Sequence, residues 1–140
     1  MPMGPSSLGF VYFAAVKLAG YTAYSGYLRK RYEDGDPRDW FRTLRIGGVR
    51  TLIGLGVGAA YGAVAWTGIF GEKTPVVFLV GLLPVRIAEW LLLLRIAFGG
   101  KIRERKRTAW AVGWGIAVSY GLDAIGIAAA LVIPGGFWVC

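Results

Sequence analysis

Val76–Phe98 reads VVFLVGLLPVRIAEWLLLLRIAF, an apolar run of helix length with a base and an acid at its middle. At a rise of 1.5 Å per residue, a helix of about 20 such residues covers a ~30 Å hydrocarbon core. Three further runs of similar length flank it, at Gly9–Leu28, Val49–Phe70 and Ala109–Ile133. None alternates in the way a barrel strand does, so all four read as helices. Hydrophobic residues make up 56% of the 140 and charged residues 17%, with 22 glycines. A water-soluble domain usually carries about 25% charge. The expected fold is therefore an all-α membrane protein, a bundle of four transmembrane helices in one domain spanning 1–140. The first run lacks the basic leader of a cleaved signal peptide and is expected to remain as a helix.

The bases are unevenly placed. Arg29, Lys30, Arg31, Arg38, Arg42 and Arg45 follow the first run, with Arg50 at the next helix entrance. Lys101, Arg103, Arg105, Lys106 and Arg107 follow the third. The middle connection has only Lys73 beside Glu72, and the two ends before Gly9 and after Pro134 have no charge. The positive-inside rule then puts both termini outside and the loops 29–48 and 99–108 in the cytoplasm. The net charge of +8 lies mostly in these loops. The partners it implies are the lipid bilayer and its anionic headgroups, not nucleic acid. Asp36 and Pro37 suit a helix start, and Trp40, Phe41 and Leu44 after them form one face of a short interfacial helix.

The chain also matches itself. Val16-Lys17-Leu18-Ala19-Gly20-Tyr21 aligns with Val85-Arg86-Ile87-Ala88-Glu89-Trp90. Gly54, Gly56, Tyr61, Gly62 and Ala65 align with Gly113, Gly115, Tyr120, Gly121 and Ala124. Both matches predict two parallel two-helix repeats, about 1–70 and 71–140, related by a pseudo-two-fold axis along the membrane normal. Gly54, Gly58 and Gly62 in the second helix, and Gly113, Ala117 and Gly121 in the fourth, form small-xxx-small faces. They predict close packing of the second helix against the fourth.

Lys17, Arg86, Glu89 and Asp123 fall near the centres of their runs, where a charge costs ~2.5–3.5 kcal/mol or more and needs a partner. Arg86 and Glu89 are three apart and can pair within one helix, leaving Lys17 to Asp123 across helices. Alternatively, both acids lie between both bases as one network. Tyr21, Tyr24, Tyr61 and Tyr120 add phenol donors around the cluster, with Ser119 beside them. Pro84 can kink the third helix next to Arg86.

The absence of His and the single Cys140 exclude His-ligated or thiolate metal centres, so neither metal nor cofactor is expected. The charged set and its tyrosines fit transport or permeation of an ion, anion or lipid-like solute, in a homo-oligomer because four helices are few for a pathway. Two alternatives stand. One is an accessory subunit of a larger membrane complex. The other is a metal-free intramembrane isomerase or cyclase acting on a lipid or isoprenoid, with Glu89 and Asp123 as acid and base.

Overall fold

Local chemistry sets the helix ends. Proline is preorganised for a first helical position, and α3 (Pro75–Phe98) begins on one. It stops at Gly99, whose φ of 53° is the left-handed conformation glycine tolerates and whose N–H donates to Arg95 O at 3.1 Å. The Asp39 carboxylate accepts the Arg42 N–H at 3.3 Å, capping α2 (Trp40–Trp66). The Thr108 N–H donates to Glu104 O at 3.0 Å at the start of α4 (Arg105–Ala130). With α1 (Ser7–Tyr32), these helices form a four-helix, all-α bundle in the computed structural model. It describes residues 7–33, 39–66, 75–99 and 104–130, among which there is no strand.

Two local expectations change. Trp40, Phe41 and Leu44 belong to the first turns of α2 and not to a separate interfacial helix. Asp39 takes the capping role, while Asp36 and Pro37 lie outside the described residues. α3 is a single helix through Pro84, whose ring is on the exposed side.

α1 lies beside α2 and α4, and α3 lies beside the same two. α1 and α3 are therefore diagonal, as are α2 and α4. Arg29 clasps the connected end of the α1–α2 hairpin, joining the last turn of α1 to the first turns of α2. Its guanidinium donates to Asp39 O at 2.6 Å, Thr43 Oγ1 at 2.8 Å and Glu33 Oε2 at 3.2 Å.

The faces are distributed against the usual sense. Lys17, Arg50, Arg86 and Asp123 point inward and are at most 2% exposed, whereas Leu52, Val80 and Ile96 point outward at 64–70%. No helix, over its described residues, is long and apolar enough to cross a membrane. This overturns the four-span placement, with both termini outside and loops 29–48 and 99–108 cytoplasmic. The physical reason is that charges break the apolar runs. Lys17 divides α1, Arg86 and Glu89 divide α3, Asp123 divides α4, and the apolar part of α2 begins only after Arg50.

The expected glycine seam between α2 and α4 is not formed, because the two helices are diagonal and side chains fill the space between them. Gly113 and Gly121 have nothing within 4 Å of where a Cβ would sit, and Ala117 is exposed. Gly54 and Gly58 are buried, while Gly62 lies outside the residues whose side chains are described. Close approach occurs elsewhere. A Cβ at Gly47 would sit 2.8 Å from the Thr22 backbone, and one at Gly115 would sit 2.6 Å from the Trp90 indole. Gly121→Ala is accordingly expected to stabilise the bundle, by up to ~1 kcal/mol of helix propensity. Chemical unfolding checks it, and a loss of stability would mean that this face is covered.

Candidate functional site: a buried ion cluster

Helical spacing brings the charged residues together. Phe13, Lys17, Tyr21 and Tyr24 share the inner face of α1, each three or four residues from the next. On α3, Glu89 and Trp90 lie three and four residues after Arg86 on its inner face, and on α4 Asp123 lies four after Ser119. Because α1 and α3 are diagonal, their inner faces meet across the centre instead of side by side.

Asp123 stands between two bases. Its Oδ1 is 2.7 Å from Lys17 Nζ, and its Oδ2 accepts from Arg86 Nη2 at 2.6 Å. The Lys17 contact is ionic without hydrogen-bond direction, since neither atom has a hydrogen-bond partner. Lys17 Nζ also lies 4.5 Å from the Phe13 ring centroid. Arg86 Nη1 donates to the Tyr21 hydroxyl at 3.3 Å, and that hydroxyl is itself 3.3 Å from Ser119 Oγ.

Glu89 is held by a residue that the sequence reading left outside the cluster. Its Oε2 accepts from Arg50 Nη2 at 2.7 Å, whereas Arg86 within the same helix is 3.9 Å away. The intrahelical Arg86–Glu89 pair is thus the weakest contact of the set. Arg86 reaches both carboxylates, so the four charges read from the sequence form one network, with Arg50 as a fifth member.

Arg50 is fully buried between aromatic rings. Its guanidinium carbon lies 4.8 Å from the Tyr21 centroid and 4.9 Å from that of Trp90. Tyr21 and Trp90 meet edge to face at 5.9 Å, and Trp90 Nε1 donates to Ser119 Oγ at 3.1 Å. Glycine makes the room: a Cβ at Gly54 would sit 3.1 Å from Arg50 Nη1. The signal for Arg50 was present in the sequence. It has apolar or small neighbours on both sides from Ile46 to Gly58, apart from Thr51, and it lies one turn before Gly54.

Among the described residues the cluster therefore carries three bases, Lys17, Arg50 and Arg86, against two acids, Glu89 and Asp123. One positive charge is in excess in a region closed to water. Arg50 Nε, Arg50 Nη1 and Arg86 Nε are buried with no hydrogen-bond partner. Such donors are costly to leave unmatched, at about 1–3 kcal/mol each and more when charged.

The tyrosines divide. Tyr21 is in the network. Tyr24 lies beyond it, packed edge on to Trp90 at 5.3 Å, with its hydroxyl donating to Ala111 O at 2.7 Å. Burial pushes the Tyr24 phenol well above its ordinary pKa, which keeps it a donor. Tyr120 is half-buried, and the Tyr61 side chain lies outside the described residues. Among the described residues no group of His, Cys, Asp and Glu is arranged to hold a metal ion. No known protein family, curated protein or solved structure matches the chain.

Proposed function

We propose that the protein binds a small anion at the buried cluster, with Arg50 and Arg86 as its principal donors. The carrying observation is the excess of one buried positive charge together with three unmatched guanidinium donors. A monoanion supplies both the missing charge and the missing acceptors. Halide, nitrate and short carboxylates carry the charge and the acceptors required. Glu89 and Asp123 are each engaged by bases, which supports a binding role for the cluster over acid–base catalysis.

The duplicated-hairpin reading supports the same site. Lys17 and Arg86, aligned in the two repeats, both contact Asp123, and the aligned Tyr21 and Trp90 both pack on Arg50. On that reading a pseudo-two-fold axis relates α1 to α3 and α2 to α4, the diagonal pairs. The site then lies on the axis, where the halves 1–70 and 71–140 face each other.

A second reading, subunit of a larger assembly, is favoured by the outward apolar residues. Val11 of α1, Leu52 of α2, and Val80 and Ile96 of α3 are each at 64% exposure or more. Large apolar side chains turned outward on three of the four helices are what docking against neighbouring subunits would cover.

The test is the melting temperature in chloride, nitrate or acetate against gluconate at constant ionic strength. Saturable stabilisation is expected, reaching ~2.7 kcal/mol at one hundred times the dissociation constant. Arg50→Met makes the cluster neutral, and Arg86 at 3.9 Å can take over Glu89. That variant is expected to fold and to lose the anion response. Equal stability in all the salts, or an undiminished response in Arg50→Met, would refute anion binding at this cluster.

A further inference from the structure

On the outer side of α3 and α4, away from the buried cluster, an open groove of about 600 Å³ runs along both helices. Ile87 and Leu91 of α3 form one wall, and Val112 and Ile116 of α4 form the other. Gly113 is its floor and Arg105 stands at one end. The volume is within the range of small-molecule sites, about 300–1,000 Å³. From Arg105 to Ile116 the groove follows eleven residues of helix, or ~16 Å.

The chemistry is asymmetric along that length. Apart from Thr108 the walls are hydrocarbon, and among the described residues Arg105 is the one charged side chain lining it. Glu104, its neighbour, is bound to Arg107 at 2.6 Å and is thereby drawn from Arg105. An occupant complementary to this groove is long, unbranched and apolar, with one negative charge at one end. A planar two-oxygen head matches the guanidinium fork.

We propose that this groove binds a single long-chain carboxylate, with its tail between α3 and α4 and its head on Arg105. Gly113 is the specificity-determining position. A Cβ there would have nothing within 4 Å, so the space above it is open to the tail. The site is separate from the anion cluster, since none of the lining residues belongs to it.

Tryptophan quenching by a bromine-labelled long-chain carboxylate tests the proposal, because Trp114 follows Gly113 on α4 and is half-exposed. Saturable quenching at one ligand per chain is expected, competed by dodecanoate and far less by dodecanol. Gly113→Leu starts from a Cβ in open space and puts its branched end into the groove, and is expected to weaken binding at least tenfold with the melt unchanged. Arg105→Gln is expected to weaken dodecanoate about tenfold, or ~1.4 kcal/mol, and to leave dodecanol unaffected. Three results would overturn the proposal. These are quenching indifferent to both substitutions, competition by phosphatidylglycerol vesicles alone, which assigns the groove to a lipid leaflet, and loss of a dimer in Gly113→Leu, which assigns it to a second copy.

Discussion

Asp123→Asn is expected to destabilise the bundle by ~3–5 kcal/mol, the range for breaking one side of a buried ion pair. The carboxylate lies 2.7 Å from Lys17 and 2.6 Å from Arg86 and is 2% exposed. Its loss leaves three buried bases facing Glu89 alone. Lys17→Met added to Asp123→Asn is expected to recover part of the stability, because it removes a base that has no other acid within reach among the described residues. For Glu89→Gln the rescuing change is Arg50→Met, not Arg86→Met, since the 2.7 Å contact is with Arg50. Double-mutant cycles read by chemical unfolding measure each coupling separately. A larger coupling for Glu89 with Arg86 than with Arg50 would contradict the network. So would a wild-type melt for Asp123→Asn.

Gly47→Ala is expected to cost ~3 kcal/mol, the upper part of the usual range for overpacking. The added methyl would lie 2.8 Å from Thr22 N and Cα and would also strike the Thr22 hydroxyl. A side chain can rotate away from such a clash, but the backbone of α1 can yield only if the two helices part. Parting them strains the Arg29 clasp to Asp39 and Thr43. Gly48→Ala, one residue on, meets nothing within 4 Å and is the control. It is expected to be neutral or slightly stabilising through helix propensity. Equal effects of the two substitutions in thermal or chemical unfolding would mean that α1 and α2 do not touch at Gly47.

The sequence by itself determined that the chain is four helices and that charges lie within them. The four apolar runs and the observed helices coincide within a few residues at most ends, because apolar length and the absence of strand alternation are properties of the chain alone. The exception is α2, which begins at Trp40, nine residues before the run that marks it. There the helix continues through a basic, aromatic stretch that hydropathy cannot distinguish from a loop. Lys17, Arg86, Glu89 and Asp123 were legible for a similar reason: a charge inside an apolar run needs a partner wherever the run goes.

Which partner was not legible. Glu89 has a base three residues away on its own helix, yet its close contact is Arg50 of α2, and only the packing of α2 beside α3 brings that base to it. Arg50 was hidden by its place near the end of an apolar run, where a base in a loop and a base in the core look alike. The glycine faces were misassigned because small-xxx-small spacing reports a smooth surface without saying what lies against it. In the bundle α2 and α4 are diagonal, so the α4 face at Gly113 and Gly121 is open, while Gly47 and Gly115 make the tight contacts. The membrane placement failed on a related point. Composition sums over all faces of a helix, whereas the charges that interrupt each apolar run all point to one side. That sidedness, and the closed cluster with its excess positive charge, exists only once four helices are assembled.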